Sequence, residues 1–372
     1  EQAKRLVTDY DNYISLKLAG DDAYLSEKMV GYPAELDEVY AESFEEQKKE
    51  WFSCVGDGIQ ECRNTWEHKK WNITDFPEFE LAITIDRPEL YYDFLQKDWT
   101  RFCHDYWKNN FLEHHTLSKK RVTRIYIGNQ FCHNLFPRKE LLFQVLEKAL
   151  ENNLAVTLAF SYIRNHLLEE TDELLQELEV WCQSREKEAG KDQEEIIVND
   201  WAMPILLQGK PHLKPVLGVL LNKRRKDVRL PYKHGIGNHV DSLAENNLNC
   251  GFYQDYLKNT FDIQRFEFES CGYKVTIPDG HHSLHLPFFQ TNTSQYCTLY
   301  AVCRYGDRGK QKLPENCPRY CNKKVFLYPK HLKMVGRYNS LFGYDEKILW
   351  DEKQLQDYLE QGIDRIVVNV SL

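Results

Sequence analysis

The sequence predicts an α/β fold of the TIM-like (β/α)8 barrel type, preceded by an N-terminal, mainly helical extension. Three observations predict it. From residue 79 onward, short apolar runs alternate with amphipathic stretches at helical spacing. Eight such runs fit into roughly 290 residues, the size of a barrel built from strand and helix units. Polar or soft side chains recur just beyond several of the runs, where parallel strands carry their chemistry.

Taken in order, residues 1–75 stand apart as an extension, and residues 76–372 carry the alternation. Residues 1–50 are acidic and poor in β-branched side chains, which reads as peripheral helix, and residues 51–75 read as a connector. Cys54 and Cys62 lie in that connector with no other ligand type at metal spacing, so they read as plain buried thiols. FELAITI (79–85) is the first strand; a helix over 88–113 follows, opened by Pro88, whose fixed φ suits a first turn. RIYIG (124–128), LAVTLAFSY (154–162), EIIVND (195–200) and VLGVLL (216–221) are the next strands. Helices over 138–153 and 170–190 separate the second from the third and the third from the fourth. A helical segment over 245–262 leads to RFEFES (265–270) and SLHLPFF (283–289); after the cysteine-rich stretch, a helix over 351–362 and IDRIVVNVS close the chain.

Composition narrows the function classes. At 372 residues with 42% hydrophobic and 13% aromatic content, the chain can bury a large core, which excludes a disordered protein. A formal net charge of -9 argues against a whole-surface grip on nucleic acid, because that grip runs on basic fields. No apolar run approaches the ~18 residues of a spanning helix, and EQAKRLVTDYDNY has no signal-type apolar core, so the expectation is a cytoplasmic protein without a membrane span. Eleven cysteines, an odd number spread through a long chain, argue for reduced thiols and a metal site over a disulfide framework.

The sharpest chemical signal is Cys297, Cys303, Cys317 and Cys321, with five, thirteen and three residues between them. Thiolates select soft centres, and this spread suits an iron-sulfur cluster better than zinc, whose structural sites favour tight paired hooks; zinc is the alternative. Cys132, just after the second strand, lies on the same rim, so five thiols compete for four positions. Cys297, Cys317 and Cys321 belong to any solution, and the fourth is Cys303 or Cys132. On other strand ends, His285 and Asp200 are the candidate catalytic residues, with a hydrogen-bonded core histidine the alternative for His285. Asn199, Asp200 and Trp201 offer hydrogen bonds and a stacking wall, or else an Asx turn that caps the next helix. Arg224, Arg225 and Arg229 offer guanidinium forks to an anion, or else a solvated face. Glycine-rich phosphate loops, GxSxG and HExxH are all absent, which removes the Walker ATPase, Rossmann, serine-hydrolase and zincin classes.

The order of strand-end motifs, YIGNQFC, IIVNDWA, LGVLLNKRRKDVRLP, then HLPFF leading into YCTLY and CPRYC, resembles peptidase family U-32, the collagenase-like proteases and their relatives. The resemblance spans roughly residues 79–372. It implies a TIM-like barrel and a 4Fe-4S cluster, with Cys132 matching a cluster ligand after the second strand. It further implies oxygen-independent hydroxylation or a related modification, as in family members of ubiquinone synthesis and RNA modification. The implied partners are an anionic small-molecule donor and a polypeptide or RNA acceptor, with pairing to a related subunit among the arrangements. HHSLHLPFFQTNTSQYC (281–297) departs from the protease-type pattern, which leaves peptidase or peptide maturation as the alternative, and a non-catalytic partner with a structural metal site as a third reading.

Overall fold

The computed structural model describes residues 48–49, 51–52, 76–189, 194–228, 243–307, 309–310, 312–314, 316–328 and 333–371. Its strands run in chain order as β1 (Glu80–Ile85), β2 (Arg124–Ile127), β3 (Ala155–Leu158), β4 (Glu194–Val198), β5 (Leu213–Leu217), β6 (Glu267–Glu269), β7 (His282–Leu286), β8 (Phe288–Thr293), β9 (Phe326–Leu327), β10 (Met334–Arg337), β11 (Ser340–Tyr344) and β12 (Ile363–Val368). Eight of them form one parallel sheet in the order β5-β4-β3-β2-β1-β12-β7-β6. Its two ends meet through a parallel bridge between Leu217 and Phe266, with Leu217 N donating to Arg265 O at 3.0 Å. The expected barrel is therefore the observed architecture.

Each strand is buried on both faces, as a parallel sheet under helices requires. Leu81, Ile83 and Ile85 of β1 face outward into the main core with Tyr91 and Phe94 of α1 (Pro88–Gln96) and Phe102 and Tyr106 of α2 (Trp99–Asn109). Alternate residues face inward, where Ala82, Tyr126, Ala159, Ile197, Val216 and Val367 form a separate small cluster inside the barrel. Nearer the strand starts the interior is ionic. Arg365 Nη1 lies 2.6 Å from Glu195, Arg365 Nε 2.6 Å from Glu80, and Arg124 reaches the same two carboxylates at 3.0 and 3.3 Å. Burial opposes ionisation of Glu195, but Arg124 and Arg365 outweigh it and hold its carboxyl down at about 2.

Three local outcomes differ from the sequence expectations. The helix expected over 88–113 is two, because Asp98 accepts from Arg101 N at 2.9 Å and caps α2 as a new start. The expected strand 216–221 is shifted, β5 ending at Leu217. Gly218 turns the chain there, and a Cβ on it would sit 2.1 Å from Asn199 Oδ1. The run SLHLPFF divides into β7 and β8 at Pro287, which has no N–H to continue a ladder.

That division admits an element the sequence reading did not anticipate, a four-stranded antiparallel sheet in the order β8-β11-β10-β9, inserted before β12. Phe342 of β11 packs edge-on against Phe131 beyond β2, with ring centroids 4.9 Å apart, so the insertion sits against the C-terminal mouth of the barrel. Part of the N-terminal extension is docked there too. Trp51 stacks on Tyr344 at 5.1 Å, and buried Lys48 donates to Asn110 Oδ1 and Val370 O, each at 2.7 Å. Among the described residues no helix is long and apolar enough to cross a membrane.

Candidate functional site

The loop after β2 builds the first wall. Gly128 has φ +107°, and a Cβ there would lie 2.6 Å from Ala159 O, so only glycine fits. Asn129 Oδ1 then accepts from Phe131 N and Cys132 N, both at 2.9 Å, which fixes the direction in which Cys132 leaves the barrel. Cys297 arrives from the inserted region as the N-cap of α7 (Thr298–Tyr305); its sulfur accepts from Tyr300 N at 3.3 Å and donates to Tyr338 O at 3.1 Å. Cys321 sits in a 3-10 turn, Tyr320–Asn322, and its carbonyl accepts from Arg337 Nε at 2.9 Å.

These segments converge on one pocket of about 560 Å³ including its open side, lined by Cys132, Cys297, Cys317 and Cys321 together with Tyr162, Arg164, Tyr300, Tyr320 and Tyr338. Burial pushes the Cys132 thiol up to about 12, and Cys297 and Cys317 add to the effect. The Cys297 thiol is likewise at about 12 through burial, with Cys321 and Cys317 adding, and the Cys321 thiol at about 12 through burial, with Cys132 and Cys317 adding. Cys132, Cys297 and Cys321 thus share one buried surrounding in which each carries its proton more tightly than a free thiol does. Cys303, the fifth candidate, lies elsewhere on α7; burial raises its thiol, and its charged neighbour is Lys324. Among the described residues, no group of three or more His, Cys, Asp or Glu side chains is placed to hold a metal ion.

Phe131 and Tyr338 are shared with a second cavity at the centre of the mouth, lined by Asp86, Asn129, Gln130, Tyr126, Glu269 and His285. His285 is 3% exposed, and its Nε2 lies 2.5 Å from Glu267 Oε2. A carboxylate only accepts, so this contact calls for a proton on Nε2. Nδ1, the other ring nitrogen, has no protein partner among the described residues. The Tyr126 ring packs edge-on against the imidazole at 5.5 Å, and its hydroxyl donates to Glu267 Oε1 at 3.1 Å. Burial raises the Asp86 carboxyl, against the pull of Arg87, and its Oδ1 has no hydrogen-bond partner.

Of the remaining sequence candidates, Asn199, Asp200, Trp201 and Arg224 line a third, open groove beside the mouth, together with Lys226 and residues 290–293 of β8. Asn199 Nδ2 donates to Phe160 O at 2.8 Å, and its Oδ1 accepts from Leu220 N at 3.2 Å. Asp200 Oδ1 accepts from Ala202 N and Met203 N at 2.9 Å each, and Oδ2 accepts from Ile163 N, which is the Asx-turn arrangement weighed from the sequence. Trp201 is 41% exposed and packs against Tyr253 and Phe261. Arg224 Nη2 donates to Glu269 O at 2.9 Å; the Arg225 carbonyl accepts from the Tyr273 hydroxyl; Arg229 lies outside the described residues, as do Cys54 and Cys62.

Sequence reasoning missed Glu267, Glu269, Tyr126, Asp86 and Lys226. Lys226 is buried on Glu269 and Gln290; burial lowers its pKa and Glu269 opposes the fall. A signal for Glu267 and Glu269 was present, since Arg265, Glu267 and Glu269 alternate along one strand face that points inward. Charged residues at that period in a barrel strand mark a polar interior. The fold and site together define an α/β barrel with four thiols and a buried Glu-His pair at its C-terminal mouth. Searches of family models, curated proteins and solved structures find no match to this chain.

Proposed function

We propose that this chain is an iron-sulfur enzyme of the peptidase U-32 type, in which Cys132, Cys297, Cys317 and Cys321 hold a 4Fe-4S cluster at the barrel mouth. The observation that carries the reading is the convergence of those four thiols, Cys132 from the loop after β2 and the other three from residues 297–321, on one pocket walled by aromatic rings. Four thiolates and a largely apolar shell are what such a cluster requires. A single zinc would need its sulfurs about 3.8 Å apart, given Zn–S bonds of about 2.3 Å. A cluster gives each thiolate its own iron, so its four ligands stand further apart than those of one zinc ion.

When bound, the cluster supplies single electrons; four thiolates leave no iron free for a donor molecule. The chain supplies the rest. His285 moves a proton at Nδ1 while Glu267 steadies the ring and balances the charge that forms on it. The mouth cavity between the thiol pocket and His285 holds the reacting group, and the open groove beside β8 admits the larger substrate. The reaction is oxygen-independent hydroxylation or a related modification, with an anionic donor and a polypeptide or RNA acceptor, in the cytoplasm. The test is anaerobic purification with iron and sulfide quantified, repeated on Cys317→Ala. About four irons per chain, lost in the variant, support the reading. A chain that binds zinc or no metal contradicts it.

A further inference from the structure

We infer that the segment from Arg304 to Lys324 is the docking face for a small acidic electron-carrier protein, an inference that rests on the cluster proposed above. The chain has a formal charge of -9, yet residues 304–324 hold seven Lys or Arg against two acidic residues. Arg304, Lys310, Lys312 and Lys323 are exposed. Exposed like charges gathered on one segment repel one another and do nothing for the fold, but they create a local basic field on an acidic protein.

That field lies over the thiol pocket. Leu313, Pro314 and Arg319 of the segment line the pocket, and Leu313 is at the same time 40% exposed, so the segment reaches from the thiol pocket to the solvent. Tyr300 lines the pocket as well, with its ring 6.0 Å from that of Tyr305, which is 39% exposed. The exposed basic side chains and part of the pocket lining therefore belong to one segment. A cluster with four thiolate ligands takes its electrons from outside the chain, and a carrier with an acidic surface is both attracted to this face and oriented on it. With the cluster held by the four thiolates, each encounter would move one electron from the reduced centre of the carrier to the oxidised cluster, with no bond made or broken. An RNA strand is the other polyanion that fits the charge, but it has no use for a closed set of thiolates beneath that charge.

The test uses the full chain loaded anaerobically, with reduced plant-type ferredoxin as the probe and cluster reduction followed by stopped flow. The comparison is with the triple variant Lys310→Glu, Lys312→Glu, Lys323→Glu, whose exposed positions leave the unfolding midpoint unchanged. The second-order rate constant is expected to fall with added salt, and to be lower by about tenfold or more in the variant. Reduction by methyl viologen radical, a small cation, is expected not to slow. A ferredoxin rate indifferent to salt and to charge reversal overturns the inference. So does binding of single-stranded RNA that the variant abolishes while ferredoxin reduction is unchanged. Iron and sulfide analysis beforehand separates these outcomes from failure of the cluster reading itself, since a chain that takes up no iron fails the reading and the inference with it.

Discussion

His285 Nε2 and Glu267 Oε2 stand 2.5 Å apart inside the barrel, and the same carboxylate receives the Tyr126 hydroxyl. The pair fixes which ring nitrogen faces the mouth cavity. Glu267→Gln keeps the shape but presents an amide that can donate or accept, so the tautomer is no longer imposed. Nitrogen NMR of His285 is expected to show Nε2 protonated in the parent and a mixture in the variant. Turnover of the loaded enzyme is expected to fall about 10- to 100-fold, as for other residues that orient a reacting group. An unchanged tautomer contradicts this role for Glu267.

Asn199 is a positioning residue for the β3 and β5 loops, through Phe160 O and Leu220 N. Removing it leaves buried backbone groups unpaired. Asn199→Ala is expected to cost about 1–3 kcal/mol in urea unfolding, with an unchanged slope. Gly218→Ala, which drives a Cβ into the same side chain, is expected to destabilise as well. Full stability with weakened substrate binding is the result that assigns Asn199 to the substrate instead.

Arg365 is 2% exposed and carries two carboxylates, Glu80 and Glu195. Arg365→Leu leaves those charges in the barrel interior with Arg124 and a distant Arg265 as their cations. The expected cost is about 3–5 kcal/mol, read as a drop in unfolding free energy. A neutral outcome would mean that water or rearrangement reaches the strand starts and screens them.

His115 sets an acid limit. Burial pulls its pKa down to about 4, against the pull of the Leu349 carbonyl, while the unfolded chain titrates near 6.5. The unfolded state therefore takes up the proton first as pH falls. The stability His115 contributes is complete above about pH 6.5 and is lost between there and about pH 4. Burial, with Arg265 adding, pulls His282 down to about 4, so it acts in the same window. His115→Gln is expected to flatten unfolding free energy against pH by up to one proton across that window. An unchanged slope contradicts the assignment.

The barrel was legible because short, largely apolar runs are separated by helices with a clear apolar stripe, as in LAVTLAFSY and RKELLFQVLEKALENN. The inserted sheet was not. Pro287 falls inside a continuous apolar run, and a run alone does not reveal that its two halves join different sheets. The thiols were legible as a set, but the choice between Cys132 and Cys303 was not. Cys303 is near Cys297 in sequence yet lies outside the pocket, whereas Cys132, distant in sequence, is brought to it by the loop after β2. Residues 199 and 200 look alike as ligands or as turn formers, since the same amide and carboxylate serve either purpose, and backbone geometry alone separates the two.

The central claim is that Cys132, Cys297, Cys317 and Cys321 hold one cluster and Cys303 does not. The most direct measurement is the iron and sulfide content, with the electron paramagnetic resonance signal of the reduced protein, for Cys132→Ser beside Cys303→Ser after anaerobic reconstitution. The account predicts about four irons and four sulfides with a cubane signal in the parent and in Cys303→Ser, and loss of both in Cys132→Ser. A loaded Cys132→Ser with an empty Cys303→Ser contradicts the ligand set, and a parent chain that takes up no iron contradicts the account as a whole.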